Sequence, residues 1–251
     1  MSVEDFLLEA CVDSVDSAIA AVNGGADRLE LCADLILGGT TPGINLFYAV
    51  KNKLNVPIHV LIRPRAGDFC YSEEEFSIMK DDVAMFRDAG ADGVVTGILN
   101  PDGSLDVARM DELLPYVGKM KSVMNRAFDL SRNPMETLEQ VKMLGMHGIL
   151  TSGQQKDCYE GRSLIAQLVL KSGDLQVVAA GGVTSRNIAP LARVTGARAF
   201  QLPGIKRTDS AMTYRKSGIS MGLPGLDEYS VDRADEREFA AAKLALDRNL
   251  S

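Results

Sequence analysis

The sequence predicts an α/β fold of the closed (β/α)8 TIM-barrel type, formed as a single domain by residues 1–251. Short apolar runs alternate with helical patterns along the chain, which is typical of a parallel sheet. There are eight such runs, and barrels of this type commonly use a chain of this length as one unit. A helix that ends in glycine and is followed at once by a β-rich run recurs near Gly25, Gly90, Gly145 and Gly196. The repeat spans about two βα units, as a barrel requires.

The elements follow one another in a regular order. The apolar runs predict strands at about 6 to 12, 27 to 32, 57 to 62, 92 to 98, 120 to 126, 147 to 152, 175 to 180 and 197 to 202. Helical patterns lie between them, including 14 to 23, 44 to 53, 73 to 89, 134 to 144 and 160 to 172. The third helix opens with the capping-box pattern "SEEE", and the fourth has Pro134 in its first turn.

A doubly wound open sheet is the alternative fold, but no G-x-G-x-x-G follows the first strand, which weakens it. After the eighth strand, residues 204–230 form a long glycine- and serine-bearing connection, and a last helix is expected at about 232–249. A connection of this length is usually functional or forms an interface.

Composition excludes several classes of function. The chain carries 27 basic and 34 acidic residues, a net charge of −7, without a long basic cluster, so binding to nucleic acid has no electrostatic support. The acidic start "MSVEDFLLEACVDS" does not resemble a signal peptide, and no apolar stretch is long enough to span a membrane. The four cysteines lie far apart and suit a reducing compartment, which predicts a cytoplasmic protein with free thiols.

Alternation along the strands predicts which side chains line the barrel interior. In the first strand Leu8, Ala10 and Val12 should face the helices, which places Glu9, Cys11 and Asp13 inside. The same parity is expected to place a further set inside the barrel: Arg28, Glu30, Cys32, His59, Leu61, Arg63, Asn125 and Gln201. Buried charges need partners, so Glu9 and Glu30 are expected to pair with Arg28, Arg63 or Arg126. Such a set is either a structural ion network or a functional site.

Two cysteines are candidate metal ligands. Cys11 and Cys32 end neighbouring strands, which lie about 4.8 Å apart, so both sulfurs could reach one ion. Thiolates suit a soft cation such as Cu(I), and Arg63 and Arg126 are expected to favour the thiolate form. The alternative is that both cysteines pack as small hydrophobic residues.

An enzyme is a second interpretation of the same end of the barrel. The stretch "VVAAGGVTSRNI" ends a strand in Gly181 and Gly182, after which Thr184 or Ser185 is expected to cap a helix. Free backbone N–H groups there could cradle an anion, although a simple turn explains the glycines equally well. Glu30 or Glu9 would act as the general base, and Arg63 and Arg126 would hold a small anionic or phosphorylated substrate.

Long blocks of this sequence resemble the CutC family of copper homeostasis proteins from about residue 8 to residue 230. The blocks are "EACVDSVDSAIAAVNGGADRLELCADLILGGTTP", "IRPRAGDFCYSEEEFSIMKDD", "GADGVVTGILNPDGSLD", "NRAFDLSRNPMETLE" and "LTSG". The resemblance implies a cytoplasmic TIM barrel, usually a homo-oligomer, that is linked to copper tolerance and binds Cu(I), without an established reaction. It also implies that Cys11 and Cys32 are the copper ligands.

The chain departs from the family pattern at two positions where most relatives carry histidine. Asn125 precedes "RAFD", and Gln201 follows the phenylalanine of the eighth strand. An amide cannot shuttle a proton near neutral pH, so any histidine-based chemistry of the family is expected to be absent here. A third interpretation is a scaffold whose segment 204–230 docks onto a partner subunit.

Overall fold

The computed structural model describes residues 6–223 and 225–248, and eight parallel strands form its centre. The strands are β1 (Leu7–Val12), β2 (Arg28–Leu31), β3 (Ile58–Leu61), β4 (Gly93–Thr96), β5 (Lys121–Met124), β6 (Gly148–Thr151), β7 (Gln176–Ala179) and β8 (Ala199–Leu202). Each strand pairs with the next along the chain, and β8 pairs with β1, so the sheet closes. The fold is therefore the predicted (β/α)8 barrel, and all eight predicted strands are confirmed within a few residues.

Helices surround the sheet. Within the described residues they are α1 (Val15–Asn23), α2 (Ile44–Lys51), α3 (Glu73–Asp88), α4 (Val107–Val117), α5 (Ala127–Leu130), α6 (Pro134–Met143), α7 (Arg162–Lys171), α8 (Ile188–Thr195) and α9 (Glu236–Asp247). The predicted capping box is present at α3, where Ser72 Oγ accepts from the Glu75 amide and Glu75 accepts from the Ser72 amide. Asn133 caps α6 directly before Pro134, as the position of the proline indicates. None of these helices is long and apolar enough to cross a membrane.

Alternate side chains of the strands point to the helices and to the barrel interior, as the sequence pattern predicts. Leu8, Ala10 and Val12 belong to the large hydrophobic core between the sheet and the helices. A second, smaller cluster fills the barrel interior with Cys11, Cys32, Leu61, Val95, Val123, Leu150, Val178, Ala180 and Ala199. Glu9, Arg28, Glu30 and Gln201 are buried with it. The interior is therefore a solid core with one polar layer rather than a channel.

The region after β8 differs from the prediction. Residues 204–230 do not form a purely irregular connection, because β9 (Ile205–Asp209) and β10 (Ser230–Ala234) pair as an antiparallel ribbon. The helix predicted at 232–249 begins only at Glu236, since Asp232–Ala234 are held in the ribbon and Asp235 is the N-cap. Residue 249 lies outside the described residues. We call residues 205–234 the arm.

Candidate functional site

The two candidate thiols meet inside the barrel. Cys11 Sγ and Cys32 Sγ lie 3.8 Å apart, and both side chains are buried. Cys11 is the next-to-last residue of β1 and Cys32 directly follows β2, so the parallel pairing of these two neighbouring strands brings the thiols together. Both thiols are free, and Cys32 Sγ also donates to the Val12 carbonyl at 3.6 Å. The predicted convergence of the two sulfurs is confirmed.

The electrostatic environment of these thiols is not the expected one. The pKa of Cys11 lies well above its usual value, chiefly because its thiol is hydrogen-bonded to Cys32 and because it is buried. The negative charges of Cys32, Glu30 and Glu9 raise that pKa further. The prediction that Arg63 and Arg126 favour the thiolate is therefore wrong for Cys11, since its hydrogen bond to Cys32, its burial and the neighbouring negative groups set the direction of the shift. The resting site holds a protonated Cys11.

A layer of carboxylates lies against the thiols. Gln201 Nε2 donates to Glu9 Oε1 at 2.7 Å and to Glu30 Oε2 at 2.5 Å, so one amide joins the two acids. Glu9 also accepts from Arg28 Nε, and Arg28 reaches Gln176 Oε1 at 3.2 Å. Of the predicted ion pairs, Glu9 with Arg28 is confirmed, whereas Arg63 and Arg126 do not pair with either glutamate. Sequence reasoning missed the bridging role of Gln201, because a spacing pattern does not show that its amide spans two acids.

Glu30 has the most perturbed carboxyl group at the mouth. Burial, followed by the charge of Glu9, raises the pKa of Glu30 to about 8. Hydrogen bonding from Gln201 and the charge of Arg28 oppose that rise without cancelling it. Glu30 is therefore mostly protonated at neutral pH and can give up or accept a proton close to it.

Arg63 is a buried cation without a carboxylate partner among the described residues. Its Nη1 donates to the carbonyls of Leu37 and Gly39, at 3.2 and 2.7 Å, and its Nη2 donates to the Gly67 carbonyl at 2.6 Å. The guanidinium lies 4.9 Å from the centre of the Phe69 ring, and its Nε has no hydrogen-bond partner within residues 6–223 and 225–248. Only 6% of the residue is exposed, so water screens the guanidinium little. Its positive charge close to the mouth is therefore balanced by no carboxylate of the described residues.

Arg126 is fixed beside the glycines at the end of β7. It donates from Nε to Asp129 Oδ2 at 2.7 Å and from Nη2 to Ser152 Oγ at 2.8 Å. Asp129 also accepts from the Ser152 amide at 2.9 Å, which anchors the loop after β6. A Cβ atom at Gly181 would lie only 3.2 Å from the guanidinium, so glycine there allows the close approach of Arg126.

The predicted anion cradle is partly occupied by the protein itself. Gly181 and Gly182 have φ values of +82° and +76°, as expected of a glycine turn. The expectation that Thr184 or Ser185 caps a helix is wrong, because Asn187 is the N-cap of α8. The Thr184 amide donates to Asn187 Oδ1 at 2.8 Å, and the Ser185 amide donates to Glu238 Oε1 at 2.7 Å. These two N–H groups are therefore already used.

These side chains enclose a mouth pocket of about 190 Å³, whose walls include Cys11, Glu30, Arg63, Asn125, Arg126, Gly181 and Gly182. Asn125 is buried, and its Oδ1 accepts from the Ala127 amide, but its Nδ2 has no acceptor in the part of the chain that the structure describes. Candidate site residues from five different strands or the loops that follow them thus line one pocket. His59 and His147, the two histidines of the chain, do not line this pocket.

Within residues 6–223 and 225–248, no three His, Cys, Asp or Glu side chains are arranged to hold a metal ion together. A metal at the mouth would therefore have the two sulfurs of Cys11 and Cys32 as its protein ligands. That donor set suits a soft monovalent ion rather than Zn²⁺, which almost always takes four ligands in structural sites.

Comparison with known proteins gives a consistent result. The sequence model of the CutC family matches residues 6–205 of this chain. A CutC family protein of Chromobacterium violaceum is 42% identical over 245 residues, covering 97% of this chain and 99% of the relative. The copper homeostasis protein cutC homolog of Homo sapiens is 40% identical over 232 residues, covering 92% of this chain and 85% of the relative.

Solved structures agree with the sequence comparison. A CutC structure from Streptococcus agalactiae superposes with a TM-score of 0.76 at 27% identity, covering 79% of this chain and 98% of that one. The N-(5'-phosphoribosyl)anthranilate isomerase of Pyrococcus furiosus superposes with a TM-score of 0.56 at 11% identity, covering 97% of this chain and 99% of that one. The second likeness shows the fold alone.

Proposed function

Because this chain belongs to the CutC family, we propose that it takes part in copper homeostasis by binding one Cu(I) ion between Cys11 and Cys32. The human relative carries the name of a copper homeostasis protein, and the paired thiols give this chain a chemical means to handle that metal. Copper is the cargo in this proposal, and no reaction is assigned to it.

The separation of 3.8 Å between the two sulfurs is the observation that carries the proposal. Thiolate–metal bonds of about 2.3 Å allow two sulfurs on one ion to lie up to about 4.6 Å apart, so the pair can hold one ion with little movement. Both side chains are also buried, with Cys11 9% exposed and Cys32 fully covered. A thiolate pair in such surroundings favours Cu(I) over hard cations.

A titration with Cu(I) under anaerobic, reducing conditions tests the proposal, with a coloured Cu(I) chelator as competitor. We expect the parent protein to bind one equivalent. The Cys11→Ser, Cys32→Ser double variant should bind at least about tenfold more weakly, because it loses both soft ligands.

Cys70→Ser is the matched control, since Cys70 is a free thiol outside the Cys11–Cys32 pair. It should bind like the parent, and circular dichroism should show that all variants are folded. Equal affinity in the parent and the double variant would place copper elsewhere.

A cytoplasmic location accompanies this proposal. Four free cysteines, two of them 3.8 Å apart without a bond, suit a compartment that keeps thiols reduced. Localisation of a tagged full-length chain by fractionation would test it, and recovery in a secreted or oxidising fraction would contradict it.

We also propose that copies of the chain assemble with one another through the arm. Its segment 210–228 exposes the apolar side chains of Met212, Tyr214, Ile219, Met221, Leu223 and Leu226. Such a group is uncommon on a monomer and is typical of an interaction surface.

A second candidate function is an enzyme that binds a small anion at the mouth. The uncompensated charge of Arg63 and the unused Nδ2 of Asn125 favour it, because both groups gain a partner if an anionic oxygen enters the pocket. Glu30, with a pKa of about 8, would act as the proton acceptor or donor beside that anion. The pocket of about 190 Å³ limits the substrate to a small carboxylate or phosphate ester.

Thermal-shift screening with small carboxylates and phosphate esters tests this candidate. A true ligand should raise the melting temperature of the parent in a saturable way. Arg126→Gln should lose that response, whereas Arg132→Gln should keep it, since Arg132 is exposed, pairs with Asp102 and does not line the pocket. A response equal in both variants would exclude the mouth as the binding site.

A further inference from the structure

A second cavity, of about 670 Å³, opens at the opposite end of the barrel from the mouth. Its walls include the first residues of three strands, Arg28 of β2, Lys121 of β5 and Gln176 of β7, together with His147, which precedes β6. Parallel strands bring their amino ends to the same edge of the sheet. We call this space the lower cavity, and neither Cys11 nor Cys32 lines it.

Three basic side chains and one acidic side chain line the lower cavity. The basic ones are Arg28, Lys121 and Lys142, and the acid is Asp174. Arg28 is paired with Glu9, and Lys142 with Glu139 at 3.0 Å. Lys121 makes no salt bridge with any residue that the structure describes, so its ammonium group is available to an anion.

His59 adds a buried polar group that has no partner. It lines the cavity, is only 3% exposed, and its Nδ1 makes no hydrogen bond with any described residue. Gly93, directly opposite in β4, provides the space for the ring, because a Cβ atom there would lie 2.5 Å from His59 Cδ2. Burial, followed by the charges of Arg28, His147 and Lys121, lowers the pKa of His59 to about 3, so the ring is neutral.

His147 contributes a hydrogen-bond donor. Its Nδ1 accepts from the Ser122 amide at 3.2 Å and therefore carries no proton. Burial, followed by the charge of Lys121, lowers the pKa of His147, so the ring is neutral at pH 7 and its proton is on Nε2. An N–H donor therefore accompanies the cations of the cavity wall.

We propose that the lower cavity is a binding site for a small oxyanion, a phosphate or carboxylate group, that Lys121, Arg28 and His147 contact. A cation and an N–H donor at one site suit such a group, because charge-assisted hydrogen bonds are the stronger ones. Barrel enzymes carry their chemistry at the other end of the strands, so this site is a binding site and not a second catalytic centre. It does not depend on copper binding at the mouth.

Calorimetric titration with inorganic phosphate at pH 7, against chloride of equal ionic strength, tests the proposal. We expect one equivalent of phosphate to bind to the parent. Lys121→Gln should weaken binding at least about tenfold, because the cavity wall loses an ammonium group that has no salt bridge among the described residues. Lys119→Gln is the matched control: Lys119 has the same charge two residues away, is exposed and does not line the cavity.

A third variant separates the two ends of the barrel. Arg126→Gln alters only the mouth, so phosphate binding to the lower cavity should be unchanged in it. Loss of binding in Arg126→Gln with retention in Lys121→Gln would place phosphate at the mouth and overturn the proposal. Equal weakening by Lys119→Gln and Lys121→Gln, or no saturable binding above the chloride reference, would overturn it as well.

Discussion

At the scale of single residues, the protonation of Glu30 makes the stability of the fold depend on pH. Its pKa is about 8 in the folded chain against an ordinary value of 4.5, so between these values the folded state holds more protons than the unfolded state. The free energy of unfolding should therefore fall as pH rises from 4.5 to 8, by up to about 1.4 kcal/mol per pH unit. The stabilising contribution is fully present below pH 4.5 and is lost above pH 8.

Glu30→Gln should remove this part of the pH dependence, since an amide imitates the protonated acid and its oxygen can still accept from Gln201. We expect the variant to be more stable than the parent at pH 8.5 and to differ little from it at pH 5. Urea unfolding at both values measures the difference. Parallel stability profiles of parent and variant would contradict the assignment of the proton to Glu30.

The raised pKa of the Cys11 thiol leads us to expect that copper binding depends on pH. Because the pKa of its thiol is raised, the proton must leave when Cu(I) binds. Apparent affinity should therefore increase about tenfold per pH unit for each proton released. Competition titrations from pH 6 to pH 8 measure the slope, and an affinity independent of pH would show that Cys11 does not bind as a thiolate.

At the scale of elements, α9 closes the ring of helices by packing against α1 and α8. Phe239 is fully buried, and its ring lies so close to Gly204 that a Cβ atom there would meet Phe239 Cε2. Lys243 bonds both oxygens of Asp27 at 2.9 Å, and Glu238 holds Ser185. The helix is thus fixed to the barrel by one apolar anchor and two polar contacts.

Phe239→Ala should destabilise the chain by about 3–5 kcal/mol, the usual cost of removing a buried phenyl ring. Leu244→Ala on the same helix is the control, because Leu244 is 49% exposed and should cost far less. Thermal and urea unfolding measure both. An equal, small effect of the two substitutions would mean that α9 contributes little to the stability of the barrel.

The elements also show what the sequence can predict. Alternation and glycine-ended helices located all eight strands and the inward parity of Glu9, Cys11 and Glu30, since these patterns are local. The ribbon of the arm was missed, because pairing of Ile205–Asp209 with Ser230–Ala234 joins segments far apart in sequence. The same limit explains two further features that the sequence did not predict. Gln201 bridges two acids, and Glu238 accepts the hydrogen bond of the Ser185 amide in place of a ligand. Both contacts join segments that are far apart in sequence.

At the scale of the whole molecule, the arm lies next to the mouth without forming the thiol site. A cavity of about 720 Å³ between them is lined by Cys11, Asp13 and Leu35 from the barrel and by Leu226 and Val231 from the arm. Assembly through the arm would thus control access to the mouth, whereas the sulfur ligands stay on β1 and directly after β2.

Replacing residues 212–226 by a short glycine–serine linker should therefore separate assembly from metal binding. We expect the molar mass measured by light scattering to fall to that of one chain, because the exposed apolar side chains are gone. Leu170→Ser, which removes an apolar side chain that is 85% exposed on α7, is the control and should leave the mass unchanged. The shortened chain should still bind one Cu(I), since Cys11 and Cys32 are held by the barrel. A parent protein that is already monomeric would contradict the proposed assembly. Loss of copper binding from a folded shortened chain would show that the arm supplies a ligand.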